Sequence, residues 1–161
     1  MSARQPTVYL LAGLPGSGKS TYARRLEARG VVRVSVDAEM LARHGRIAVD
    51  YPVESHVDLL GPVLEWATDR LLARVGAGAS VVFDHGLGSR RERDRYKLIV
   101  ESAGAQWKLV YFPAEIATLL DRLSARSVED AANSVPITPT MLAYLASVYE
   151  EPSGEGEELA T

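Results

Sequence analysis

Val8-Tyr9-Leu10-Leu11-Ala12-Gly13-Leu14-Pro15-Gly16-Ser17-Gly18-Lys19-Ser20-Thr21 decides the fold. Its first five residues are an unbroken apolar run, as expected of a strand buried on both faces. Gly13, Gly16 and Gly18 then let the backbone turn tightly, since glycine tolerates positive φ. From Lys19 the pattern is helical as far as Arg29, and Gly30 is a natural stop. A strand that turns through glycines into a helix N-terminus can aim successive N–H groups into one concavity, where the partial positive charge of the helix adds to their pull on an anion.

The spacing is G-x-x-x-x-G-K-S, which narrows the anion to a nucleoside triphosphate. Lys19 would reach the β- and γ-phosphates as a point charge, and the Ser20 hydroxyl would ligate Mg²⁺. ATP and Mg²⁺ are therefore the expected ligands. Gly13, Gly16, Ser17, Gly18, Lys19, Ser20 and Thr21 form the expected nucleotide site.

Outward from this loop, strands and helices alternate. Strands are expected over 7–12, over 31–36 running up to Asp37, over 80–84, and over 106–112 before Pro113. Helices are expected over 19–29, over 38–43, over 53–75 with a start, break or kink at Gly61-Pro62, over 89–103, from Ile116 onward, and from Thr138-Pro139 to about Tyr149. On the long helix, Val57, Leu60, Leu64, Ala67 and Leu71 fall at helical spacing and should face a sheet. Residues 45–52 read as a loop. Such alternation implies right-handed crossovers and a parallel sheet with helices on both faces, an α/β P-loop NTPase architecture. Four strands are legible.

Composition limits the rest. The chain has 161 residues, 47% of them hydrophobic, enough for one domain with one core. Cysteine is absent, and His44, His56 and His85 lack metal-ligand spacing, so disulfides and thiolate zinc sites are excluded. No apolar leader or membrane-length run is present, which points to a cytoplasmic protein without a membrane partner. The net charge of −3 resides in the tail: Glu150, Glu151, Glu155, Glu157 and Glu158 are not balanced by any basic residue over 150–161. Residues 1–149 are then a nearly neutral domain, and 150–161 an acidic tail expected to be frayed or extended. A sequence-independent nucleic-acid binder would carry a more basic body.

Charged residues at the ends of strands supply the candidate chemistry. Asp37 ends the second strand, 18 residues after Lys19, on the edge where open α/β sheets bind ligands. Its carboxylate can take the proton of a hydroxyl that attacks a γ-phosphoryl group, and it can also cap the following helix. Asp84 ends the third strand and can hold a Mg²⁺-bound water, steer a substrate, or orient the loop of His85-Gly86-Leu87-Gly88. Arg122 and Arg126, at i and i+4, precede a weakly patterned stretch over 127–134 and suit a small lid that closes over the γ-phosphate. They would otherwise form surface pairs with Asp121 or Glu129. In Arg90-Arg91-Glu92-Arg93-Asp94-Arg95-Tyr96-Lys97, a helix would align Arg90, Arg93 and Lys97, either toward an anionic substrate or as a solvated face.

The missing residues narrow the class. Asn133 is the only asparagine and is followed by Ser134, so no Asn-Lys-x-Asp guanine element exists, and the Phe83-Asp84-His85 strand end lacks the Asp-Glu pair of large ring ATPases. Residues 13–21, Asp37, Val81-Val82-Phe83-Asp84, Ser89-Arg90-Arg91-Glu92-Arg93, Arg122 with Arg126, and Val135-Pro136-Ile137-Thr138 follow in an order that resembles the P-loop kinases of the zeta-toxin, chloramphenicol phosphotransferase and polynucleotide 5′-hydroxyl kinase group, small AAA-type ATP-binding proteins. The resemblance spans about residues 7–152. It implies five parallel strands, a base at Asp37 and a lid arginine at Arg126. Met40 stands where the polynucleotide kinases carry a phosphate-binding arginine. The expected function is transfer of the γ-phosphate of ATP to a hydroxyl on a small molecule, such as an antibiotic or other natural product. The alternatives are a polynucleotide 5′-hydroxyl kinase and a nucleotide-binding regulatory module with little turnover.

Overall fold

The computed structural model describes residues 4–129 and 137–160, the side chains of 126–129 excepted. Five parallel strands, β1 (Thr7–Ala12), β2 (Val32–Ser35), β3 (Val81–Asp84), β4 (Gln106–Tyr111) and β5 (Glu158–Leu159), form one sheet in the order β2-β3-β1-β4-β5. The helices are α1 (Lys19–Ala28), α2 (Val36–His44), α3 (His56–Gly76), α4 (Arg90–Ser102), α5 (Ile116–Glu129) and α6 (Pro139–Val148), with a short 3₁₀ turn over Val53–Ser55.

β1 is central because it can be. Val8, Leu10, Leu11 and Ala12 are all fully buried, so both faces of the strand are covered. Period-2 alternation divides the core. Leu10 and Ala12 join Val34, Phe83 and Leu109 under α3 and α4, whereas Leu11 joins Val82, Val110 and Phe112 against Ala23 of α1. The pairings Leu10↔Phe83 and Leu10↔Leu109 keep the strands in step and bring the carboxyl ends of β1, β2 and β3 to one edge.

Four expectations change. First, the acidic tail is not frayed: β5 lies within it, Val110↔Glu158 and Tyr111↔Leu159 pair, and Glu155 is buried. Its carboxylate meets a buried guanidinium, described below, which offsets the cost of removing the charge from water. Second, the second strand stops at Ser35, and Ser35 caps α2 by accepting from Ala38 N at 3.1 Å. Asp37 is thus a first-turn residue of α2 rather than a cap. Third, α3 runs unbroken through Pro62, which lies with Gly61 on the exposed side where water can serve the carbonyl left without an N–H partner. Fourth, Leu60, Leu64, Ala67 and Leu71 pack on the core as expected and are joined by buried Val63 and Val75, whereas Val57 is 77% exposed. No described helix is long and apolar enough to cross a membrane.

Candidate active site

The turn between β1 and α1 has the shape its glycines predict. Gly16 and Gly18 have φ of 83° and 105°, and Gly18 at the α1 N-cap provides no side-chain cap, which leaves the first-turn N–H groups for a ligand. A Cβ on Gly13 would sit 2.5 Å from Ser17 Oγ, and one on Gly16 would sit 3.2 Å from Leu123 Cγ. Ser17 Oγ is buried with no hydrogen-bond partner, an acceptor and donor held inside the loop. Lys19 Nζ donates to the carbonyls of Gly13 at 2.6 Å and Leu14 at 2.9 Å, which folds its charge over the loop. From α5, Arg122 Nη1 donates to Gly16 O at 3.2 Å. These groups fit a polyphosphate.

Gly86, expected only as one residue of the loop after the third strand, is a participant in its own right. A Cβ there would lie 3.1 Å from Gly13 O and 3.2 Å from Lys19 Cε. The loop after β3, anchored by Leu87 N donating to Leu11 O at 3.2 Å, therefore packs directly against the lysine.

Ser20 and Asp84 are brought together. Ser20 Oγ lies 3.5 Å from Asp84 Oδ1, and Asp84 is 4% exposed. Arg33, from β2, donates twice to the other oxygen, Oδ2, from Nη2 at 2.7 Å and Nε at 3.0 Å. One face of the carboxylate is thus occupied and the other is held toward Ser20. A hydroxyl beside a carboxylate oxygen is the hard-oxygen set Mg²⁺ prefers when phosphates and water complete its shell.

Asp37 is exposed in the first turn of α2. Two half-buried rings, Tyr51 and His56, lie within reach of its field. Burial, with a smaller push from Asp37, raises the Tyr51 phenol above its ordinary value. Burial lowers the His56 imidazole against the opposing pull of Asp37. The sequence raises His56 only as a metal ligand, which its spacing excludes, and Tyr51 only as a loop residue, because the fold alone brings the two rings together beside α2.

Other expected residues are not assembled here. Arg93 is wholly buried: Nε and Nη2 donate to Glu155 at 2.9 and 3.1 Å, and Nη1 donates to Leu87 O at 2.9 Å. It is not a substrate ligand, and the buried pair is why. Lys97 donates to Glu155 O at 2.7 Å, and Arg90 is exposed near Asp94 at 3.8 Å. No basic stripe results. Thr21 is exposed on the first turn of α1. Of the stretch expected as a lid over 127–134, the backbone of 127–129 continues α5, whereas 130–134 and the Arg126 side chain lie outside the described residues.

A family model described as an AAA domain matches residues 8–152. No curated protein matches the chain in sequence. Among solved structures, a protein of Chloroflexus aurantiacus J-10-fl assigned provisionally as a kinase superposes with a TM-score of 0.76 at 16% identity, over 97% of this chain and 88% of its own. A gluconokinase from Sinorhizobium meliloti 1021 gives 0.64 at 20%, over 99% and 83%. Kti12 of Chaetomium thermophilum, in complex with ADP-AlF3, gives 0.66 at 17%, over 96% and 88%. At these identities the likeness is one of fold.

Proposed function

Because the chain belongs to the AAA domain family and has the fold of P-loop kinases, we propose that it is an ATP-dependent phosphotransferase acting on a hydroxyl of a small molecule, with Asp37 as the general base. The observation that carries this reading is the state of Asp37. Ser35 performs the capping, so the carboxylate of Asp37 is left exposed just past the carboxyl end of β2, and in open parallel sheets that is the edge where ligands bind.

In the proposed reaction the acceptor O–H bond breaks and its proton passes to Asp37. The acceptor oxygen bonds to the γ-phosphorus, the bond from that phosphorus to the β–γ bridging oxygen breaks, and ADP leaves with the electron pair. Lys19, with the α1 N-terminus, would hold the phosphates, and Arg122, with Arg126 if the lid closes, would bear the charge that develops on the moving group. Ser20 and Asp84 would hold Mg²⁺, which when bound supplies charge neutralisation at the phosphates.

The polynucleotide reading is weakened by Arg93 and Lys97, which are committed to Glu155. The test is incubation with γ-labelled ATP and Mg²⁺ and a pool of hydroxylated antibiotics, sugars, nucleosides and 5′-hydroxyl oligonucleotides, with Lys19→Ala as control. Label on a small molecule, absent from the control, is expected. Asp37→Asn should keep ATP affinity within about twofold and lose transfer by about 10²–10⁴-fold; undiminished turnover would remove Asp37 as the base. ATP binding with label on no acceptor would favour a regulatory module instead.

A further inference from the structure

The segment between α2 and α3 is built, not loose. Asp50 Oδ2 accepts from Arg46 N at 2.7 Å, Asp50 N donates to Arg46 O at 2.8 Å, and Ala48 N donates to Tyr51 O at 2.8 Å. Ala48 adopts φ of 65°, a left-handed conformation uncommon for a residue with a Cβ. Ile47 is buried beneath. Gly45 closes against Asp50, whose side chain would lie 2.5 Å from a Cβ at that position.

This construction delivers one product: the side chain of Tyr51. Its hydroxyl is 2.8 Å from His56 Nδ1, and the two rings are parallel to within 6° with centroids 6.0 Å apart. His44, at the end of α2, stands edge-on to Tyr51 at 6.3 Å. Asp37 lies about two turns earlier on α2, on the same helix face as His44, the residue that meets Tyr51.

We propose that Tyr51 and His56 form the wall of the acceptor site facing Asp37, and that the acceptor is an uncharged ring compound bearing neighbouring hydroxyls. This rests on the reading of Asp37 as base. With the phenol donating to Nδ1, the imidazole proton sits on Nε2, a neutral donor that can bind one acceptor oxygen while a neighbouring hydroxyl is presented to Asp37. The aromatic faces supply apolar cover for a sugar-like or nucleoside ring. A neutral imidazole and a phenol offer no charge to a phosphate or carboxylate, so anionic acceptors are disfavoured. His56 contacts the acceptor, and Tyr51 is the positioning residue that fixes its tautomer.

The test pairs transfer with binding. Uncharged acceptors (hexoses, ribonucleosides) and anionic ones (sugar acids, a 5′-hydroxyl oligonucleotide) are offered with γ-labelled ATP and Mg²⁺, and the same compounds are titrated against the His56 ring-nitrogen NMR signals with a non-hydrolysable ATP analogue present. An uncharged compound should be labelled and should shift those signals, with hexose and nucleoside arms distinguishing the ring type. Tyr51→Phe keeps the ring but frees Nδ1 to take the proton, and should raise acceptor KM about tenfold with kcat and the KM for ATP little changed, the loss of about one hydrogen bond. His56→Ala should do the same more severely, and His56→Gln, which retains a donor, should recover part of it. A KM unmoved by these variants, labelling confined to anionic acceptors, or His56 signals unmoved by every uncharged compound would overturn the inference. If Asp37→Asn abolishes transfer while KM ignores Tyr51 and His56, the base stands and the wall falls. If an uncharged compound moves His56 but receives no label, the wall stands and the transfer reading falls.

Discussion

Asp84 illustrates how much a single side chain's surroundings decide. Both Arg33 donors converge on Oδ2, so the carboxylate cannot rotate without breaking two charge-assisted bonds. Arg33→Ala should therefore loosen the Ser20–Asp84 pair: half-saturating Mg²⁺ for ATP binding is expected to rise several-fold, measured by titration with and without the metal. Arg33→Lys should not restore it, because an ammonium cannot supply that paired geometry. Gly86→Ala tests the contact beneath the phosphate loop. A methyl 3.2 Å from Lys19 Cε and 3.1 Å from Gly13 O must displace the lysine, and ATP affinity should fall about tenfold by calorimetry while the fold, by circular dichroism, persists. Gly13, Gly18, Lys19 and Ser20 were legible in the sequence because their spacing is local. Gly86 was not, because Gly13 and Lys19, on which it packs, lie far away in the chain, and the Tyr51–His56 pairing was not, because it depends on how the segment after α2 folds back.

At the level of elements, the sequence showed four strands through their apolar or β-branched runs, and the fifth escaped because β5 is two residues long within an acidic, glycine-bearing segment. Arg93 escaped for a related reason. A run of mixed charge on a helix reads as solvated, and only the partner at position 155 explains its burial. That pairing makes α4 and the C-terminal segment one unit. Removing one partner strands the other in the interior, so Glu155→Ala should cost about 3–5 kcal/mol in denaturant unfolding, whereas Arg93→Met combined with Glu155→Leu should recover much of it. Hydrogen bonds from Arg93, more than any other cause, hold the Glu155 carboxyl below its ordinary 4.5. Its folded value being depressed, its contribution is complete above pH 4.5 and fades as pH falls through the lower folded value. Glu155→Gln should flatten that acid limb of the stability profile.

Across the whole molecule, the sheet order β2-β3-β1-β4-β5 places the first strand made at the centre and two later strands at its sides. The division of 150–161 from the rest, natural by composition, is not how the molecule packs: Glu150 N donates to Gly88 O at 2.9 Å, Ala160 N donates to Tyr111 O at 2.8 Å, and Glu155 sits inside. Deleting 150–161 should lower Tm by about 10 °C, from a loss of at least ~3 kcal/mol in a domain where 1 kcal/mol shifts Tm by about 2–4 °C; an unchanged Tm would show the segment to be dispensable. Arg93 also sets an order of events during vectorial synthesis. A chain delivered only through α5 contains Arg93 and its Leu87 carbonyl partner but not the counterion, which comes only with residue 155. An unpaired guanidinium does not leave water, so until Glu155 is available the seat of Arg93 on α4 should stay open, and a polypeptide released short of residue 155 should be cut there by protease faster than the full chain.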